Sequence, residues 1–258
     1  MPRDLNLQNI ALSVLLDALR DERIALAYQP VVRSGDGSIA YHETLLRIMG
    51  EESGPFAAAI FIPAAEQLGH SRDIDCRVLE LAVADLHRDP EIHLAINISG
   101  HTATDQTWLQ LLTNLVGGRN RIASRLTIEI TETAEIHDLD EASRLLSVVR
   151  ELGCRIALDD FGAGYTSFLQ LDSLPLDVVK IDGSFIRGIA QNGESQKFVD
   201  ELLAHTTASG IETVAECVED TADRDYLLTR GVNYFQGWMY GRPEYDVPVN
   251  RVRSTPAA

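Results

Sequence analysis

Six short apolar runs between Ile92 and Phe235, each closed by polar residues, constrain the fold of this chain more than any other feature. They cover residues 92–98, 126–130, 155–158, 178–181, 213–215 and 232–235. Their β-branched and aliphatic content, bounded by turn residues, reads as buried strands. Helical patterns over 139–152, 195–209 and 221–230 lie between them, and Gly153, Gly210 and Gly231 stand where a helix C-terminus favours glycine. Two longer strand-like runs come first, 24–32 and 39–48. The turn Ser34-Gly35-Asp36-Gly37-Ser38 joins them as an antiparallel hairpin. Helices are expected next over 63–68 and 73–86. Eight strands, the last six alternating with helices, predict an α/β fold: a TIM-like (β/α)8 barrel with its first strand antiparallel.

A length of 258 residues suits one such barrel, and 45% hydrophobic residues is an ordinary globular composition. Residues 1–22 read as an N-terminal lead-in helix, with Leu5, Ile10, Leu12, Leu15, Leu16 and Leu19 near helical spacing. Residues 23–250 then form a single barrel domain. The net charge of −17 argues against a surface for DNA or RNA polymers. Cys76, Cys154 and Cys217 are too few and too widely spaced for a disulfide framework or a zinc knuckle, so they read as thiols in a reducing cytosol. With no signal peptide and no bilayer-length apolar run, the expected location is cytoplasmic, either alone or as the cytoplasmic part of a larger, membrane-attached protein.

The polar residues that close the strands carry the chemistry. Glu43 lies in the second strand and Asn97 ends the third. Glu129 and Glu132 follow in the fourth, Asp159 and Asp160 in the fifth, Lys180 and Asp182 in the next. Glu216 and Glu219, then Gln236, complete the series. Barrels keep their active sites at this C-terminal rim. Each residue alone has a bland reading: Asp160 caps the next helix, Lys180 is a satisfied core lysine, Asn97 fixes a turn. Together the carboxylates repel unless protonated or neutralised by cations. Oxygen donors with one amide carbonyl suit one or two hard divalent ions, Mg²⁺ or Mn²⁺, and zinc would want His or Cys. Phosphoryl chemistry, enolisation and sugar isomerisation all remain open on spacing alone.

The chain contains, in order, Tyr28-Gln29-Pro30-Val31, Glu43-Thr44-Leu45-Leu46-Arg47, Asn97-Ile98-Ser99, Glu129-Ile130-Thr131-Glu132, Asp159-Asp160-Phe161-Gly162, Val179-Lys180-Ile181-Asp182, Ala215-Glu216-Cys217-Val218-Glu219 and Phe235-Gln236-Gly237 with Gly241-Arg242-Pro243. This motif set is similar to that of the EAL family of cyclic di-GMP phosphodiesterases. The resemblance implies hydrolysis of cyclic di-GMP to linear 5′-pGpG with two Mg²⁺ or Mn²⁺ ions. It implies metal ligands at Glu43, Asn97, Glu129, Asp159, Asp160 and Glu216, and a water-orienting Lys180. It further implies a supporting Glu219, and a Glu132 that tethers the loop after the acid pair. Substrate contacts are expected from Gln29, Leu45, Arg47, Asn97, Asp182, Gln236 and Pro243. A homodimer and an upstream sensory or GGDEF-type domain are expected on the same ground. Two residues depart from the family pattern: Thr44 stands for Ala and Cys217 for Gly. An EAL domain that only senses the dinucleotide or holds a partner is the alternative.

Overall fold

The computed structural model describes residues 13–50, 56–57, 61–131, 138–163 and 171–245. Its strands are β1 (Ile24–Arg33), β2 (Ile39–Ile48), β3 (Phe56–Ala57), β4 (Leu94–Ile98), β5 (Leu126–Thr131), β6 (Arg155–Phe161), β7 (Val178–Ile181), β8 (Glu212–Ala215) and β9 (Tyr234–Gln236). All but β3 close into an eight-stranded barrel in the order β1-β9-β8-β7-β6-β5-β4-β2, with β2 returning to β1. β1 is antiparallel to both its neighbours, while β2 and β4 to β9 run parallel, as the sequence predicts. Asp36 Oδ1 closes the hairpin turn by accepting from Ser38 N at 2.9 Å and Ser38 Oγ at 2.7 Å.

The helices are α1 (Ile62–Gln67), α2 (Ser71–Arg88), α3 (Gln106–Val116), α4 (Asn120–Ala123), α5 (Leu139–Glu151), α6 (Gly183–Ile186), α7 (Gly193–Ser209) and α8 (Thr221–Arg230). Side chains of Asp105, Asp138, Asn192 and Asp220 accept from the first free N–H groups of α3, α5, α7 and α8. Gly210 and Gly231 close α7 and α8 in the left-handed conformation, and Gly153 lies one residue past the cap of α5.

Some boundaries differ from the sequence expectation, each for a local reason. Residues 92–93 are loop because Arg125 donates to the carbonyls of Leu86, Asp89 and Ile92 at 2.7–2.9 Å and binds that stretch to itself. Val232 and Asn233 precede β9 outside the ladder: the Thr213 N–H donates to the side-chain Oδ1 of Asn233 at 2.8 Å instead of to a backbone carbonyl. Helix α3, absent from the expectation, buries Trp108, Leu112 and Val116 in the main core and packs beside α2, α4 and α5. Residues 13–20 of the lead-in are helical and bury Leu15 and Ala18 in the main core; residues 1–12 lie outside the described residues.

That main core fills the space between barrel and helices. A second, smaller cluster of Val31, Tyr41, Ala95, Ala157, Val178 and Val214 forms a floor inside the barrel. Strand side chains alternate between faces. Two residues beyond this floor, the inward positions become Glu43, Asn97, Asp159, Lys180 and Glu216. An apolar floor therefore carries a polar layer at the barrel mouth.

Candidate active site

Lys180 stands at the centre of that layer and is fully buried. Its Nζ lies 2.8 Å from Asp159 Oδ1, 2.9 Å from Glu129 Oε2, 2.9 Å from Glu216 Oε1 and 3.3 Å from Glu43 Oε2. Asn97 Nδ2 donates to Glu43 Oε1 at 2.8 Å and Gln236 Nε2 to Glu43 Oε2 at 2.6 Å. Strands β2, β4, β5, β6, β7 and β9, and Glu216 just past the end of β8, thus each place one side chain in the same cluster.

One ammonium does not neutralise four carboxylates. At an effective dielectric of about 20, two like charges 4 Å apart still repel by about 4 kcal/mol. The acids respond unequally. Burial drives the Glu129 carboxyl up to about 8 against the pull of Lys180, and Glu43 and Asp159 add repulsion. Burial also raises Asp159 and Glu216. Glu43 goes the other way: burial pushes it up, but the Lys180 charge and the Gln236 and Asn97 donors outweigh burial. Lys180 keeps its proton, because its acid neighbours overcome the burial that would lower it. The layer needs further positive charge, as bound cations or shared protons.

The donor set fits hard divalent ions. Two groups of carboxylates, Glu43-Glu129-Asp159 and Asp159-Asp160-Glu216, each bring one oxygen per residue within 4.8 Å of one another. Asp159 belongs to both. Glu129 Oε1 and Asn97 Oδ1 are buried acceptors with no hydrogen-bond partner among the described residues. Neither group contains His or Cys, and an all-oxygen set is that of Mg²⁺ or Mn²⁺.

A break in the β6–β7 ladder explains how adjacent acids reach one site. The register runs Leu158↔Val179 and then Phe161↔Ile181, three steps against two, so Asp159 and Asp160 sit in a bulge. Asp160 takes the left-handed region at φ 55°, which Asp tolerates better than most residues. In an unbroken strand the two carboxyls would face opposite sides. Burial, then repulsion from Asp159, pushes Asp160 up to about 6.

A cavity of about 350 Å³ opens beside the acids, its wall including Leu45, Arg47, Glu66, Ser71, Asn97 and Asp159. Of the expected substrate contacts, Leu45, Arg47 and Asn97 line it. Gln236 is buried in the acid layer itself, bound to Glu43. Gln29 Nε2 donates to Gly241 O at 3.3 Å, and pairing of Tyr28 with Glu244 keeps the segment around Pro243 beside β1. Asp182 spends one oxygen capping α6, where it accepts from Ser184 N at 2.9 Å. Glu219 is exposed and belongs to neither carboxylate group. Glu132 lies outside the described residues. The sequence reading missed Glu66 and Ser71. Pro63 signals the start of α1, but nothing in the spacing tells that α1 and the start of α2 lie across the mouth.

The EAL domain family model matches residues 13–243. The chain belongs to the EAL domain family. Among curated relatives, it is 32% identical over 248 residues to the cyclic di-GMP phosphodiesterase PdeF of Escherichia coli, covering 95% of this chain and 33% of that protein. It is 34% identical over 235 residues to the cyclic di-GMP phosphodiesterase PdeB of Shewanella oneidensis, covering 89% and 28% respectively. The chain therefore spans about a third or less of these relatives. Among solved EAL domain structures, the PaMucR phosphodiesterase in complex with c-di-GMP superposes with a TM-score of 0.79 at 30% identity, covering 86% of this chain and 97% of that one. Among the described residues, no helix of this EAL domain is long and apolar enough to cross a membrane.

Proposed function

We propose that this EAL domain hydrolyses cyclic di-GMP to linear 5′-pGpG in bacterial second-messenger signalling. The observation that carries the reading is the pair of carboxylate groups sharing Asp159 beside a cavity that contains Arg47. The relatives' names and the c-di-GMP complex of a similar domain support the substrate. Glu43, Asn97, Glu129, Asp159, Asp160 and Glu216 would hold two Mg²⁺ or Mn²⁺ ions. The chemistry these supply when bound is Lewis acidity toward phosphate and water. Arg47 offers N–H donors to a phosphate oxygen, and the apolar wall at Leu45 receives a base. Lys180 donates to the attacking water and holds it in line with the P–O3′ bond that breaks. Gln236 fixes Glu43 from the far side. Glu132 and Glu219 are supporting residues in this reading. Gln29, Asp182 and Pro243 are further ligand contacts.

The test is incubation of the purified chain with cyclic di-GMP and either ion, with products separated by chromatography. Linear dinucleotide is expected, and Glu43→Gln or Asp159→Asn lowers its rate by roughly 100-fold or more. Wild-type rates in both variants would remove the metal assignment. The second reading, a receptor that binds without turnover, draws on Cys217, whose strained backbone at φ 54° adjoins Glu216. Saturable binding with no product under either ion would establish it. A homodimer, an upstream sensory or GGDEF-type domain and a cytoplasmic location belong to the same proposal.

A further inference from the structure

The acids that Lys180 touches are the acids that form the two carboxylate groups. Its Nζ contacts all three members of Glu43-Glu129-Asp159, and both Asp159 and Glu216 of the second group. An ammonium has three protons to donate. Lys180 Nζ donates to Glu129 Oε2 at 2.9 Å and Glu43 Oε2 at 3.3 Å, and makes close ion pairs with Asp159 at 2.8 Å and Glu216 at 2.9 Å, so its protons are committed to the acids. The butyl stem is as buried as its head, so the ammonium has no water shell to compete with the acids. A divalent ion holds carboxylate oxygens at about 2.0–2.2 Å and repels a neighbouring ammonium. The same oxygens cannot serve both cations at full strength.

We propose that Lys180 is the exchangeable counter-cation of this site. Its ammonium holds the acids together when no ion is bound, and divalent ions enter by taking those oxygens from it. The exchange is non-covalent, and Lys180 keeps its proton throughout. Freed from the acids, the ammonium is available to the attacking water. Lys180 then lowers metal affinity by competition. A lysine that merely oriented the ligands by hydrogen bonding would raise it, so the two roles differ in sign. This inference rests on the metal reading given above and goes beyond it by assigning the lysine a part in ion uptake.

The experiment is calorimetric titration of the full chain with Mn²⁺, wild type against Lys180→Met, with thermal unfolding followed in chelator and in Mn²⁺. Lys180→Met should bind Mn²⁺ about tenfold tighter or more. It should melt lower than wild type in chelator and show the larger rise in Tm on adding the ion. Equal or weaker binding by the variant overturns the proposal. If wild type itself takes up no divalent ion, the metal reading falls first, so the two failures are distinguishable. A variant that folds only with Mn²⁺ supports the exchange. Should it fold in neither condition, lysine side-chain ¹⁵N NMR of the wild type decides. The buried ammonium resonance should shift or broaden away on saturation with Mg²⁺, and an unchanged resonance counts against exchange.

Discussion

Cys217 and Thr44 both depart from the family motif, and the protein accommodates them differently. Thr44 is buried with its hydroxyl donating to Ala95 O at 2.8 Å, so the larger side chain has gained a partner on the outer side of β2. Glu43 and Leu45 still face the site, as strand alternation requires. Cys217 sits at φ 54°, a region that favours glycine. Its Sγ accepts from Arg187 Nη2 at 3.0 Å, and its side chain packs so closely on Gly183 that a Cβ there would come within 2.5 Å of the sulfur. The left-handed strain, of order 1–2 kcal/mol, is thus set against contacts made by sulfur. Cys217→Ala keeps the strain and loses the contacts. Cys217→Gly loses both, but adds about 0.4–1 kcal/mol of unfolded-state entropy. Urea denaturation should therefore rank Ala below Gly by about 1 kcal/mol or less. An Ala variant more stable than the Gly variant would mean that residue 217 is unstrained. The cysteine itself was legible as an anomaly in the sequence. What offsets it was not, because Gly183 and Arg187 lie in a different strand–helix unit.

At the scale of elements, β6 and the turn after it hold the second carboxylate group in place. Gly162 follows the bulge at φ 102°, beneath stacked rings of Phe185 and Phe198 whose centroids are 4.0 Å apart. A Cβ at Gly162 would stand 2.6 Å from Phe185 Cε2 and 2.9 Å from Phe198 Cζ. Gly162→Ala should therefore cost about 2 kcal/mol or more, since strain and overpacking act together. It should also weaken Mn²⁺ binding, because relieving the clash moves Asp159 and Asp160. Thermal melts and ion titration check this. A variant that melts normally and binds the ion normally would show that the turn is not what orients the acids. The glycine was visible from the sequence as the residue that follows the acid pair in its motif, and the strands β2 and β7 were read to the residue. The bulge was not visible, since an Asp-Asp pair in an apolar run gives no sign of which acid turns out of phase. Helix α3 escaped for a related reason: its buried positions are fixed by packing on α2, α4 and α5, and its cap, Asp105, is one of many acids.

The barrel as a whole was readable because strand count, order and the reversed first strand follow from alternation and one short turn. Its closure depends on β1 pairing antiparallel with β9, a contact between distant parts of the chain that local patterns do not encode. Charge is the other property of the whole molecule. The chain carries a formal −17, and a cyclic dinucleotide carries two negative phosphodiesters. Even with two divalent ions bound, the long-range field opposes the approach of such a ligand. Monovalent salt screens this field, with a Debye length of about 10 Å at 0.1 M. Contacts inside the cavity are closer than that and are screened less. With Mg²⁺ held saturating, raising NaCl from about 20 to about 200 mM should speed association of a fluorescent cyclic di-GMP analogue by roughly two- to fivefold. Dissociation, set by the short-range contacts, should change less. Stopped-flow mixing measures both. An association rate that falls with salt would show that the cationic patch at the mouth, Arg47 and the bound ions, outweighs the acidic body of the protein. The ligand would then be steered inward from a distance.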